Sequence, residues 1–275
     1  MLIYVNGCHF DANKPSILAS DRGLLLGDGI FTTIKVINLH LIHFAEHFAR
    51  LQANAHFLHI PFSFTHETLH CACLELLKAN NATNETFILR ITLTRGSSKR
   101  GIDIADNCAP NLIITISKFP DTVPQPLSLN ISTFKRNEYS PLTQIKSLNY
   151  LEAVLARREA QDLGFDDAIF INTCEHICEA TTANIFFVGN SQLYTPTLAD
   201  GVLPGIMRSH VLEAAQSLNI KVTQASIHSH TITQFDECFV TNSIIEIQKV
   251  YRIGAQLFNK HSLTSLINQQ IYKLA

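Results

Sequence analysis

No apolar run in this 275-residue chain approaches the roughly 20 consecutive residues that a membrane-spanning helix takes, so a helical span is excluded. A basic surplus is also missing. The 21 Lys and Arg against 23 Asp and Glu leave a net charge of −2, without the electrostatic footprint of nucleic-acid binding. Seven cysteines are present, an odd number at irregular spacing, and Cys-x-x-Cys does not occur. That argues against a disulfide framework and fits a reducing compartment. Met1–Gly7 lacks a basic n-region and breaks at Asn6-Gly7, so it reads as strand and turn, not signal peptide. There is no internal repeat and no low-complexity tract. What remains is ordinary globular material, 46% hydrophobic and 16% charged, of a length that suggests about two domains. The expectation is a soluble, cytoplasmic protein whose partner is a small molecule, with neither nucleic acid nor membrane bound.

Periodicity predicts the elements. Two short strands flank the Asn6-Gly7 turn. Asp21-Arg22-Gly23…Gly27-Asp28-Gly29 follows, its three glycines suggesting tight or positive-φ backbone, and leads into a strand at Ile30–Ile37. No helix follows that strand start, so a dinucleotide-binding loop is a poor reading. Helices are predicted at 44–58 and 65–79, then strands at 87–94 and 111–118. Residues 119–126 hold three prolines and read as a linker. Beyond it come a strand at 127–134, a helix from Leu148 to Gly164 and a strand at 167–172. A hairpin-like stretch to 194, a helix from Pro204-Gly205 to about Leu218, strands near 220–224 and 236–242 and a last helix at 261–273 complete the chain. The predicted architecture is mixed α/β (α+β): a small N-terminal α/β domain, 1–118, and a larger C-terminal domain, 127–275, with antiparallel or mixed sheets.

Several stretches can carry chemistry. Lys146 stands among apolar neighbours in Gln144-Ile145-Lys146-Ser147-Leu148-Asn149. An amine in such surroundings loses hydration, its pKa falls, and it becomes a competent nucleophile and proton carrier. Taken alone, it reads more readily as a helix-entry lysine with a solvated tip. Glu179 precedes Ala180-Thr181-Thr182-Ala183-Asn184 and an apolar strand; it is either a solvated acid or a buried one facing a cationic ring nitrogen. Gly205-Ile206-Met207-Arg208 opens a helix whose first-turn amides could seat an anion, a weak signal by itself.

In this order the motifs resemble the fold-type IV pyridoxal-phosphate enzymes, a family of branched-chain and D-amino-acid aminotransferases and 4-amino-4-deoxychorismate lyase. The resemblance spans nearly the whole chain. It implies the cofactor pyridoxal 5'-phosphate and a homodimer. Lys146 resembles the lysine that carries the cofactor, and Glu179 the acid that pairs with its ring nitrogen. Arg50, Gly205, Ile206, Met207, Asn242 and Ser243 match the phosphate site. Phe31-Thr32-Thr33 looks like the lyase, since aminotransferase relatives usually carry an acid where Thr32 stands. Thr32, Thr33 and Arg100 are then the substrate candidates. Two departures stand out: Ile102 replaces a histidine of the D-amino-acid enzymes, and Lys249-Val250 replaces the usual Pro-Val. The resemblance implies a lyase of folate synthesis: Lys146 takes the proton from C4, the enolpyruvyl group leaves C3, and 4-aminobenzoate and pyruvate result. The alternative is a D-amino-acid or branched-chain aminotransferase.

One rival pattern comes from another class. His66-Glu67-Thr68-Leu69-His70 fits the H-E-x-x-H of zinc hydrolases on a predicted helix. Thirteen histidines make a chance match easy, and no third ligand stands out downstream.

Overall fold

The computed structural model describes residues 1–14, 16–83, 85–99, 101–104, 108–121 and 125–274. The chain forms two compact units: Met1–Asp121 with Ile145–Asn149, and Thr122–Gln144 with Tyr150–Ala275. The stretch that carries Lys146 thus belongs with the first unit, a return that no feature of the sequence announces. The linker expected at 119–126 lies partly outside the described residues.

The first unit holds β1 (Leu2–Val5), β2 (Cys8–Asp11), β3 (Gly29–Ile37), β4 (His40–Leu41), β5 (Thr86–Thr94) and β6 (Asn111–Lys118). They form one antiparallel sheet in the order β2-β1-β6-β5-β3-β4. Alternation decides its faces. Phe87, Leu89, Ile91 and Leu93 of β5 are buried, while Ile88, Arg90 and Thr92 between them are half-buried. Ile30, Ile34 and Val36 of β3 join the same core. Helices α2 (Phe44–Phe57) and α3 (His66–Ala79) supply Phe44, Leu51, Ala55, Leu69, Cys73, Leu76 and Leu77 to it. The helix α3 starts at a capping box in which Thr65 and Thr68 satisfy each other's backbone amides.

Ahead of β3, Arg22–Leu26 forms a one-turn helix, α1, which periodicity did not reveal. The Asp21 side chain caps it, and Gly27 closes it at φ 66°. Only Gly27 of the three glycines adopts a positive φ. Gly23 and Gly29 are there for space: a Cβ on Gly23 would lie 2.4 Å from Thr94 Cγ2, and one on Gly29 2.7 Å from the Leu93 carbonyl. Beneath the turn, Arg22 and Arg95 both donate to Asp28 Oδ2, at 2.8 and 2.7 Å. Arg22 also reaches the carbonyls of Gly101, Ile102 and Asp103 at 3.1–3.3 Å, and Arg95 those of Leu58 and His59 at 2.7 and 2.9 Å.

This network has a pH signature. Burial alone would raise the Asp28 carboxyl, but the hydrogen bonds and charges of Arg95 and Arg22 outweigh it and hold the group below its ordinary value. A lowered folded pKa contributes stability that is complete above the unfolded value near 3.8 and is lost as pH falls through the folded one. Asp28→Asn should therefore cost about 3–5 kcal/mol at neutral pH, because two buried guanidiniums lose their counter-ion. It should also flatten the acid limb of stability against pH below about pH 4, read from urea midpoints.

The second unit holds β7 (Leu127–Ile131), β8 (Asp167–Ile171), β9 (Ile177–Ala180), β10 (Asn184–Gly189), β11 (Gln192–Thr195), β12 (Val222–Gln224), β13 (Glu237–Asn242), β14 (Glu246–Ile253) and β15 (Gln256–Leu257). Their sheet runs β12-β11-β10-β13-β14-β7-β8-β9, with β15 on β14. It is mixed: β14, β7 and β8 run parallel, as do β11 and β12, and the other pairs are antiparallel. Helix α4 (Leu151–Asp162) begins three residues later than Leu148, because residues 146–148 are paired with β3. Helices α5 (Ile206–Ser217) and α6 (Ser262–Leu274) share a core with Phe186 and Phe239. The sequence reading missed β14, whose eight residues, Glu-Ile-Gln-Lys-Val-Tyr-Arg-Ile, show no clean two-residue alternation. The result is a mixed α/β fold.

Candidate active site

In the first unit, backbone pairing sets the place of Lys146. Phe31 N–H donates to the Lys146 carbonyl at 2.9 Å, Leu148 N–H to the Gly29 carbonyl at 3.0 Å, and Ser147 bridges Ile30. Asn149 Nδ2 donates to the Gly27 carbonyl at 3.1 Å. Residues 146–148 therefore extend the sheet beside the start of β3. Ile145 and Ser147 are buried, while Lys146 between them is half-buried. Its Nζ lies 4.6 Å from the centroid of the Phe31 ring, and the Arg90 guanidinium lies 3.6 Å from that same centroid. Two cations thus share one aromatic ring, a contact that cation–π attraction supports.

The two threonines of β3 diverge. Thr32 is buried on the core face, where its hydroxyl pairs with His47 Nδ1 at 2.6 Å and accepts from Arg50 Nη2 at 3.0 Å. Thr33 is half-buried on the face of Phe31, opposite Arg90 in the register. The two are split between faces, so one of them has the structural strand role that alternation of faces allows. Thr32 is engaged in positioning Arg50, and only Thr33 shares a face with Phe31. Arg100, the third substrate candidate, lies outside the described residues.

In the second unit the acid sits at the end of β9. Glu179 Oε1 accepts from Arg136 Nη1 at 2.7 Å; Oε2 accepts from Asn184 Nδ2 and Leu203 N–H, both at 3.1 Å. All three partners are donors, so the group they match is a carboxylate. Asn184 also donates to the Leu203 carbonyl at 2.9 Å, which knits the acid to the segment leading into α5. That helix opens at Gly205 with no side-chain cap, so its first-turn amides meet no capping side chain. A Cβ on Gly205 would lie 2.0 Å from Asn184 Oδ1, so only glycine fits against that carboxamide. Ile206 and Met207 bury their side chains, leaving their backbone as the polar feature of the helix start. Arg208 is buried and donates to the Pro196 carbonyl at 3.1 Å and to Gln224 Oε1 at 2.8 Å. Burial pushes the Arg208 guanidinium's pKa down, with the charge of Glu179 acting the other way.

Asn242 shapes a turn: its Oδ1 accepts from the N–H groups of Ile244 and Ile245 at 2.9 and 3.0 Å, and its Nδ2 donates to the Thr182 carbonyl at 3.1 Å. Ser243 is half-buried at the tip of that turn. The H-E-x-x-H pattern does lie on a helix, α3. His66 and His70 place nearly parallel rings, centroids 6.2 Å apart, against the Phe44 ring. Among the described residues no third ligand atom closes a metal site with them.

Sequence reasoning overlooked three of these residues. Arg90 had a signal, a lone charge midway along an apolar strand. His47 lies three residues before Arg50 on α2, one turn away, and could have been found by that spacing. Arg136 had none, since its partner is 43 residues away.

Comparison with known proteins follows the geometry. Residues 29–253 match the model of the class IV amino-transferase family. A putative branched-chain-amino-acid aminotransferase of Methanocaldococcus jannaschii is 30% identical, over 94% of this chain and 90% of that protein. The aminodeoxychorismate lyase of Vibrio harveyi is also 30% identical, over 92% of each chain. A solved structure of a putative 4-amino-4-deoxychorismate lyase from Legionella pneumophila is 32% identical, with a TM-score of 0.86 over 94% of this chain and 97% of that one. With a family match across most of its length and relatives of this likeness, the chain belongs to the class IV aminotransferase family.

Proposed function

We propose that this chain is an aminodeoxychorismate lyase, releasing 4-aminobenzoate and pyruvate from 4-amino-4-deoxychorismate in folate synthesis. Membership of the family makes it a pyridoxal-phosphate enzyme acting on a small molecule. The residues fit that cofactor: an uncapped helix start with a glycine no Cβ can replace suits a phosphate, and a carboxylate gathered by three donors suits a protonated ring nitrogen. In this reading Ile206 and Met207 N–H, Arg50, Asn242 and Ser243 hold the phosphate, and Glu179 faces the ring nitrogen. When bound, pyridoxal phosphate supplies an aldehyde for the substrate's amine and a ring that draws electrons from the carbon losing its proton. In that chemistry Lys146 would be the base that takes the C4 proton, and Thr33 with Arg100 would orient the substrate.

The observation that carries the lyase reading is the neutral Thr32. Its hydroxyl accepts from Arg50 without cancelling the arginine's charge, whereas an acid there would form an ion pair with it. Arg50 thus keeps its full positive charge for the phosphate it is assigned to hold. The lyases of Vibrio harveyi and Legionella pneumophila support this reading. The Methanocaldococcus jannaschii relative favours a second one, a branched-chain aminotransferase. Product analysis decides: purified protein is given aminodeoxychorismate in one arm, and D-alanine or branched-chain amino acids with a keto acid in the other. Faster transamination than 4-aminobenzoate release overturns the lyase.

Two substitutions probe the phosphate assignment. Arg50→Ala should weaken cofactor binding by about 2–3 kcal/mol, the scale of a lost charge-assisted contact. Thr32→Val should cost about 1 kcal/mol through loss of the hydroxyl that steadies Arg50. Titration of the apo-protein with cofactor measures both. We also infer a homodimer, in keeping with the exposed Leu151, Val154 and Leu155 on α4. Sedimentation at rising concentration tests it.

A further inference from the structure

We propose that His176, His228 and His230 form a binding site for a borderline divalent cation of the Zn(II) class. The three lie together in the second unit. His176 and His228 stand opposite each other across an antiparallel bridge, flanked by Ile177 N–H donating to the Ile227 carbonyl at 2.8 Å and Ser229 N–H to the Glu175 carbonyl at 3.0 Å. Their ring centroids are 5.8 Å apart, and those of His228 and His230 only 3.7 Å. Three imidazoles are thus gathered by backbone that is already paired.

The surroundings favour a cation. His176 Nδ1 lies 3.4 Å from Oδ1 of Asp200, a buried carboxylate fixed in turn by Ser226 Oγ at 2.8 Å. A carboxylate on the far nitrogen of a histidine is the usual outer partner of a metal-bound imidazole. His228 Nδ1 is buried with no hydrogen-bond partner among the described residues, and a metal ion or a rotated ring would satisfy it. Imidazole ligands select Zn(II), Cu(II), Ni(II) and Co(II) over Mg(II) and Ca(II). As the rings stand, their nitrogens do not all converge on one point. His230 is exposed, so rotation about its side-chain torsions is the adjustment that closes the set. A bound ion would pin the turn at 172–176 to the segment that begins at Ile227.

The test uses the tag-free holoenzyme, dialysed to equilibrium with Zn(II) in excess Mg(II), and Co(II) as a spectroscopic probe. One Zn(II) per chain is expected, with a visible Co(II) band of low-symmetry nitrogen coordination. His176→Asn with His230→Gln should weaken that binding at least tenfold and abolish the band. Zn(II) should raise the Tm of the wild type and not of the double variant, each compared with its own metal-free Tm. His66→Ala with His70→Ala should leave the binding unchanged. Absence of Zn(II) uptake, or uptake equal in the wild type and the His176–His230 double variant, overturns the site. Neither result bears on the lyase assignment.

Discussion

Lys146→Ala yields a folded, colourless protein whose turnover is lower by about 10,000-fold or more, the upper range for removal of a general base. The same side chain is assigned both to hold the aldehyde and to carry the proton, so neither task has a substitute once the amine is gone. The variant should fold because Lys146 pairs through its main chain, which alanine keeps: its carbonyl accepts from Phe31 N–H at 2.9 Å. Borohydride treatment of the yellow wild type should fix the cofactor to a peptide that contains Lys146. Attachment at any other lysine removes the assignment. An unchanged urea midpoint in the variant separates lost chemistry from lost fold.

The second large effect is expected at Glu179→Gln. Shape is conserved and charge is not. Turnover should fall on the order of a hundredfold to a thousandfold, the scale of losing one preorganised electrostatic contact at a reacting centre. Cofactor affinity should change far less, because the phosphate contacts assigned here lie elsewhere. Arg136 loses an anionic acceptor at 2.7 Å and Leu203 N–H keeps a neutral one, so some loss of stability is expected as well. Glu179→Asp should recover part of the rate, which a purely structural acid would not do. A Glu179→Gln enzyme with normal turnover and altered stability would reduce Glu179 to a fastener of the segment before α5.

Much of the fold was legible in the sequence. Helices α2 and α3 and strand β6 fall within a residue or so of their predicted limits, because their apolar residues recur at one clear period. That signal reports which side of an element is buried, not which element lies beside it. Hence the pairing of residues 146–148 with β3 was invisible, and a helix was begun at Leu148 where the chain is still extended. The same limit hid β14, whose neighbour on one side, β7, comes more than a hundred residues earlier. At the site, individual residues stood out where a short motif carries the chemistry, as with Lys146, Glu179 and Gly205. Relations between residues did not. The opposite facing of Thr32 and Thr33 follows from strand geometry, but which of them meets His47 and Arg50 depends on how α2 lies on the sheet.

The pairing of residues 146–148 with β3 also bears on motion. Because the sheet holds the lysine's carbonyl and the Leu148 amide that follows, the base of the side chain is as stationary as the strand it joins. A catalytic cycle that asks this amine to bind, let go and accept a proton at a new place must therefore draw its travel from the four methylenes alone. Such rotations are side-chain events, orders of magnitude quicker than loop rearrangements. The swing of Lys146 should accordingly never set the pace of turnover, and a stiffer or more viscous medium should slow substrate entry and product departure before it slows the proton transfer.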